Sequence, residues 1–296
     1  MRGDQVREKL HAGGRVYGTH VCGLSNALAA RLLASTPLDF AFFCTEHMPL
    51  DRSEVSVLCQ IYASRGISPI VRIPYPCARQ AAMALDGGAE GIVAPYVETV
   101  EEVREIVGAV HYRPIKGRLL RQFLDGTRPP SPKTLRFLER FNRQNYAVIG
   151  VESVAAYENL DALIGVEGVD GVFMGPHDLS VSLEAPEEWD NPELFRLMKD
   201  TVVRCRAAGI GVGVHVPDGL LPADWFPRLM DAGMNWVLYA ADVAFAMTAL
   251  TSQFEKLRRK YGDAYVAGDG RSRAASSCAA PEKVTRRAKR TAERRA

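Results

Sequence analysis

Two carboxylates, one arginine and a set of histidines are the residues here that could do chemistry. Glu152 stands in Val151-Glu152-Ser153 and Asp178 in Gly175-Pro176-His177-Asp178. Arg72 stands in Val71-Arg72-Ile73-Pro74, and Glu46 and His47 in Cys44-Thr45-Glu46-His47. Each group follows a short apolar run rich in β-branched or aromatic residues. His20 and His215 end two further runs, and Asp242 lies just beyond another. Glu152 and Asp178 offer oxygen ligands with no competing sulfur, the donor type for Mg²⁺ or Mn²⁺, with water or substrate in the remaining positions. Arg72 would neutralise negative charge on a ligand held by such a metal. His47 is a group that moves a proton near neutral pH. Buried charges are costly unless paired or metal-bound, so a set of them gathered at run ends implies a purpose.

The elements that must position these groups read as a βα alternation. Strands are expected at Val16–Val21, Phe40–Cys44, Pro69–Ile73, Gly91–Ala94, Tyr146–Val151, Val169–Met174, Gly211–Val214 and Trp236–Tyr239. Helical segments are expected at Leu24–Leu33, Asp51–Arg65, Ala78–Leu85, Thr99–Val110, Ala155–Leu163, within Pro192–Ala208, and at Ala223–Ala232 and Val243–Tyr261. Asp51, Thr99 and Asn191 are suited to cap helix starts, with Pro192 at a first helical position. Eight strand–helix pairs are the count of a (β/α)8 TIM barrel, α/β in class. A doubly wound open sheet is the alternative, because alternation alone does not decide closure. One segment breaks the rhythm. Between Tyr112 and Gln144 lies a long stretch with Arg128-Pro129-Pro130-Ser131-Pro132 and a helical piece, Thr134–Asn142; it reads as an inserted excursion or lid before strand five. In a barrel of this kind the chemistry sits at the C-terminal ends of the strands, where all the residues above converge.

Composition bounds the class. The 296 residues carry 37 Lys+Arg against 35 Asp+Glu, with 47% hydrophobic and 24% charged residues, an ordinary globular balance. From Gly268 to Ala296 nine Lys/Arg meet three Asp/Glu, so this end is basic and the rest mildly acidic. Residues 266–296 hold almost no large apolar side chain. They are expected to be a disordered basic tail outside a catalytic domain of residues 1–265. Without interleaved aromatics, a nucleic-acid partner is not expected. The six cysteines show no Cys-x-x-Cys and no zinc-site spacing, and read as reduced thiols of a cytoplasmic protein. No apolar stretch approaches a membrane span and the charged N-terminus lacks a signal-peptide run, so no membrane is expected.

Several blocks carry a family resemblance. Cys44-Thr45-Glu46-His47-Met48-Pro49-Leu50-Asp51, Val71-Arg72-Ile73-Pro74, Gly88-Ala89-Glu90-Gly91-Ile92-Val93-Ala94-Pro95, Val151-Glu152-Ser153 and Gly168-Val169-Asp170-Gly171-Val172-Phe173-Met174-Gly175-Pro176-His177-Asp178-Leu179-Ser180 resemble the HpcH/HpaI aldolase family. These are class II pyruvate aldolases, related to citrate-lyase-like enzymes. The resemblance runs from about Val16 to Tyr261. It implies a divalent-metal-dependent carbon–carbon lyase acting through the enolate of a 2-oxo acid such as pyruvate. Glu152 and Asp178 would hold the metal, Mg²⁺ or Mn²⁺ with Co²⁺ as a further candidate. Arg72 would contact the keto or enolate oxygen, and backbone N–H groups around His177 and Asp178, beside Gly175 and Pro176, would hold the carboxylate. His47 would belong to the acid/base apparatus, with Glu46 ordering metal-bound water. Apart from the resemblance, the place of His20 at the end of the first run makes it a candidate to face the substrate. The partners implied are the 2-oxo acid, an aldehyde or related acceptor, and further copies of the chain in a trimer-based homohexamer that exchanges its eighth helix. No strand ends in lysine, which counts against Schiff-base chemistry.

Three positions depart from the family pattern. Cys44 replaces an aspartate that pairs with the histidine. Gly150 replaces a glutamine and is expected to leave space near the substrate. Lys116-Gly117-Arg118-Leu119-Leu120 replaces an Arg-Gly-x-Gly loop expected to border the second substrate. The alternatives are a related enolate enzyme (a CoA-thioester lyase or a bond-forming synthase) and a lapsed barrel serving as a binding module. At residue level the alternatives are an ion pair for Arg72 with Glu46, and structural roles for His20, His177 and His215.

Overall fold

The strands are β1 (Val16–His20), β2 (Phe40–Cys44), β3 (Ser68–Arg72), β4 (Gly91–Ala94), β5 (Tyr146–Val151), β6 (Gly171–Met174), β7 (Gly211–Val216) and β8 (Trp236–Ala241). The structure, a computed structural model, describes residues 1–216 and 221–262. All neighbouring strands are parallel, and β1 also pairs with β8, so the sheet closes into an eight-stranded barrel. Closure excludes the open doubly wound sheet. The helices are α1 (Gly3–His11), α2 (Ala27–Leu33), α3 (Arg52–Ser64), α4 (Ala78–Asp86), α5 (Val100–His111), α6 (Gly117–Leu124), α7 (Pro132–Phe141), α8 (Val154–Glu158), α9 (Leu160–Ile164), α10 (Pro176–Ser182), α11 (Pro192–Ala207), α12 (Trp225–Asp231) and α13 (Asp242–Tyr261).

Two cores follow from the period-two alternation of the strands. Ala41, Phe43, Val71, Ile92, Ile149 and Val172 point outward, into a layer shared with the helices. Val16, Phe40, Phe42, Ile70, Val93, Tyr146, Val148, Phe173, Trp236 and Leu238 fill the barrel itself. Large residues on one strand are met by small ones on the next: a Cβ at Gly91 would lie 2.4 Å from the Tyr146 ring. The same parity sends Arg72, Gly150, Glu152, Gly175 and His215 inward at the upper end.

The helix starts form as their sequences direct. Asp51 and Thr99 each accept a backbone N–H inside a capping box, and Asn191 accepts from Glu193 N–H ahead of Pro192. Other boundaries move. The helix expected over Ala155–Leu163 is two short ones, α8 and α9, meeting at Asn159, whose side chain donates to the Glu98 carbonyl at 3.0 Å. β7 and β8 run two residues beyond their expected ends, and β6 begins only at Gly171. The charged N-terminus forms α1, which buries Val6 and Leu10 against the barrel interior and plugs its foot.

The excursion before β5 is present as α6 and α7, but it is no lid. It follows a helix rather than a strand, so the chain has already returned to the foot. Leu120 and Leu124 pack beside Gly108 near the end of α5, and Asn142 donates to the His111 and Arg113 carbonyls at 2.9 and 2.8 Å.

The chain divides into a unit of Met1–Ser252, which holds the barrel, and a unit from Gln253, whose described residues continue α13. The basic stretch from residue 266 lies outside the described residues. No described helix is long and apolar enough to cross a membrane.

Candidate active site

Arg72 is the hub. It ends β3 directly opposite Cys44 at the end of β2, and its guanidinium lies 5.8 Å from the centroids of both the Phe42 and Phe173 rings. Only 11% of its side chain is exposed. Nη2 donates to Cys44 Sγ at 3.2 Å. Nε stands 3.0 Å from Glu46 Oε2, an ion-pair contact in which neither atom is aligned for a hydrogen bond. Nη1 is 3.8 Å from Glu152 Oε1. Burial by itself would ease the proton off, but Cys44, Glu46 and Glu152 outweigh it and hold the guanidinium more firmly charged than usual.

Glu152 follows β5 and is 2% exposed. Its two oxygens have different surroundings. Oε2 accepts the Tyr96 backbone N–H at 2.7 Å. Oε1 is buried and has no hydrogen-bond partner. Burial pushes the carboxyl up to about 7; Arg72 and the Tyr96 N–H oppose the rise, and the charges of Asp178 and Glu46 add to it. Gly175, at the start of α10, presses on the same side chain: a Cβ there would sit 2.7 Å from Glu152 Oε1. Asp178 lies in the first turn of α10, half exposed. The structure thus gathers a buried acceptor without a donor, a second carboxylate within electrostatic reach and a glycine that keeps the space beside them clear. Among the described residues no group of three or more His, Cys, Asp or Glu is arranged to enclose an ion. A metal here would rest on two carboxylates, the number a Mg²⁺ site typically takes from protein. The oxygen donors and the orphaned Oε1 fit such an ion.

The histidines divide. His47 is 61% exposed, with Nε2 3.6 Å from Glu46 Oε2; it is its backbone N–H, not its ring, that meets Cys44 Sγ, at 3.3 Å. His177 turns outward, Nε2 3.7 Å from Glu187 and Nδ1 4.0 Å from Asp178. His20 and His215 stand edge to face with ring centroids 5.7 Å apart. His215 Nε2 donates to the Ala240 carbonyl at 3.0 Å. Asp242 is fully engaged: it accepts backbone N–H groups of Cys22, Gly23, Leu24 and Val243 and ties the β1–α2 connection to the end of β8.

A family model described as HpcH/HpaI aldolase/citrate lyase matches residues 21–218. The chain belongs to the HpcH/HpaI aldolase/citrate lyase family. It is 31% identical to a pyruvate aldolase of Rhizobium etli over 81% of this chain and 92% of that protein. It is 28% identical to a 2-keto-3-deoxy-L-rhamnonate aldolase of Salmonella gallinarum over 86% of this chain and 97% of that one. A solved HpcH/HpaI aldolase from Desulfitobacterium hafniense superposes with a TM-score of 0.71 at 25% identity, covering 86% of this chain and 96% of that chain. Membership of this lyase family makes the chain an enzyme with small-molecule substrates, which counts against the lapsed binding module and leaves the related enolate enzyme as the alternative.

Two expectations about the family departures need correction. Gly150 leaves no space near the substrate. A Cβ there would lie 2.9 Å from Pro95 Cα and 3.0 Å from both Ala94 O and Tyr96 N, so the backbone after β4 already fills the gap. The Lys116–Leu120 segment does not border this chain's own mouth. It opens α6 at the foot, because it precedes a strand instead of following one. One contributor escaped the sequence altogether. Tyr96 serves through its backbone N–H, held in the left-handed region at φ 49. That conformation costs a residue other than glycine on the order of 1 kcal/mol. Residue type carries no signal for a backbone donor; a position two residues past the end of a barrel strand was the only hint.

Proposed function

We propose that this HpcH/HpaI family enzyme is a divalent-metal-dependent aldolase that makes and breaks a carbon–carbon bond beside the keto group of a 2-oxo acid such as pyruvate. The observation that carries the reading is Glu152: a buried carboxylate with one oxygen fixed by a backbone N–H and the other without a hydrogen bond, 3.8 Å from Arg72 Nη1. Glu152 and Asp178 would hold the ion, with Mg²⁺ or Mn²⁺ favoured by their oxygen donors and Co²⁺ a further candidate. When bound, the ion supplies Lewis-acid stabilisation of enolate charge.

The protein's own residues do the rest. Arg72 holds a fixed positive charge where the enolate oxygen develops, with Phe42 and Phe173 excluding water around it, so its charge acts in a poorly screening environment. Backbone N–H groups at His177 and Asp178, in the first turn of α10, bind the substrate carboxylate. Gly175 keeps that approach open. Glu46 and His47, at the mouth beside Arg72, relay the proton between solvent and the reacting carbon or oxygen. Cys44 cannot take the role of a carboxylate beside the His47 ring, because its sulfur turns to Arg72 and to the His47 backbone. The acid/base path therefore runs through Glu46.

The reading extends to a homo-oligomer, a trimer-based hexamer, formed through α13. Phe245, Met247 and Leu250 on this helix are each about half exposed, as is Tyr17 on the outer face of β1. It extends also to a cytoplasmic setting, supported by the free thiols of Cys44, Cys59 and Cys205 in the interior.

The test is exchange of the pyruvate methyl protons with deuterated solvent, followed by NMR with metal present. Wild type is expected to exchange them. Glu152→Gln and Asp178→Asn are expected to lose exchange by about 100-fold or more while melting normally. Undiminished exchange in chelator-treated protein would overturn the reading.

A further inference from the structure

His20, the last residue of β1, carries an unanswered polar atom. Its Nε2 is buried and has no hydrogen-bond partner. Its ring rests edge-on against Phe42, centroids 5.5 Å apart, and against His215 at 5.7 Å. The ring is therefore held by packing on two sides and is not free to seek a partner elsewhere. His215 is in turn fixed. A carbonyl only accepts, so His215 Nε2 is its protonated nitrogen, spent on Ala240. Ala240 adopts φ 49, a left-handed conformation that turns its carbonyl to this bond. Two strands and a strained residue thus hold an imidazole whose own donor-or-acceptor atom has nothing to bind.

The position says what would bind it. β1 is diametrically opposite β5 in a closed ring of eight strands, so His20 stands across the mouth from Glu152, with Arg72 of β3 between them. The keto acid occupies the Glu152–Arg72–Gly175 side. The side left for the acceptor is the one against β1 and β7. Among the described residues this wall carries no free charge: Asp242 is consumed by four backbone N–H groups, and burial with the neighbouring His215 and Arg72 pushes His20 down to about 3, leaving it neutral at ordinary pH. A neutral imidazole does not select a carboxylate. It suits a hydroxyl, which donates or accepts to match either tautomer.

We propose that His20 is the specificity-determining residue for the acceptor, exchanging a hydrogen bond through Nε2 with a hydroxyl carried beside the aldehyde carbonyl, while His215 acts as the positioning residue behind it. The inference rests on the aldolase reading above. It goes beyond it in assigning recognition of the second substrate.

The test compares two aldehydes that differ by one hydroxyl, glycolaldehyde and acetaldehyde, each condensed with pyruvate by the intact metal-loaded enzyme. Wild type is expected to prefer glycolaldehyde in kcat/KM by at least about fivefold, the cost of leaving a buried polar atom unpaired. His20→Phe keeps a ring and is expected to bring that ratio near one; His20→Asn, which keeps a polar side chain, is expected to restore part of it. Because the readout is a ratio within one protein, a uniform loss of activity cancels. A readout free of turnover accompanies it. In metal-free protein without pyruvate, ring-proton NMR signals that vanish in His20→Phe are expected to shift with glycolaldehyde and not with acetaldehyde. A wild type that treats both aldehydes alike overturns the proposal even if no variant folds, and so does an unchanged ratio in His20→Phe or an equal NMR response to both. Failure of wild type to exchange pyruvate protons would instead bring down the aldolase reading itself.

Discussion

Gly175 and Glu152 illustrate how finely the residue scale is set. Gly175 has φ −99, which alanine adopts without strain, so a substitution there acts through space alone. A methyl 2.7 Å from Glu152 Oε1 must displace that oxygen. Gly175→Ala is expected to weaken Mn²⁺ binding about tenfold or more, read by calorimetric titration, with little change in melting temperature. Unaltered affinity would mean that Oε1 is no ligand. The candidate carboxylates, Arg72 and His47 were legible in the sequence because their types stand out at the ends of apolar runs. The contribution of Tyr96 was not, since any residue can supply a backbone N–H. Nor was the crowding at Gly150, because a missing side chain looks like space until the neighbouring backbone is seen.

At the scale of elements, one buried carboxylate clamps the foot of the barrel. Asp170, at the entry to β6, accepts the Ala147 N–H of β5 at 2.8 Å, His111 Nε2 of α5 at 3.1 Å, and pairs with His11 of α1 at 3.3 Å. Burial alone would raise its pKa, but the bonds from His11, His111 and Ala147 outweigh burial and bring it down to about 2. A carboxylate depressed in the folded state contributes stability that is complete above its unfolded value of about 4, and is lost as pH falls through its folded value. The contribution is on the order of 2 kcal/mol. Urea midpoints are expected to fall for wild type between pH 4 and pH 2, while Asp170→Asn starts lower and changes less over that window. Parallel curves for the two proteins would show that the clamp carries no such linkage. The same scale explains the excursion. Its second helix, α7, was readable as the helical piece Thr134–Asn142, whereas α6 falls where a loop was expected. Their position was readable too, since a segment between a helix and the next strand must lie at the foot. The expectation of a lid overlooked that direction.

For the whole molecule, α13 and the neighbouring outer wall leave apolar surface in water. Tyr17 and Tyr239 on the outside of β1 and β8 are 46% and 40% exposed, and Leu250 on α13 is 59% exposed. In an eight-stranded barrel such strand faces are ordinarily covered by helices. A second copy of the chain supplies that cover in the proposed assembly. Phe245→Glu combined with Leu250→Glu is expected to reduce the mass seen by light scattering to a smaller species that keeps the barrel's circular dichroism. An unchanged mass would place the contact elsewhere.

Sequence alone determined the βα count, most strand positions, the capped helix starts and the residue types at the mouth. These depend on local periodicity and on side-chain chemistry, which are properties of neighbouring residues. Tertiary structure decided that the sheet closes, that Glu152 keeps one oxygen without a hydrogen bond, that Cys44 turns to Arg72, and that His20 stands opposed to Glu152. Those are distances between strands far apart in the chain, fixed by barrel register and by the packing of Phe42, Phe173 and Trp236, and no run of adjacent letters encodes them one at a time.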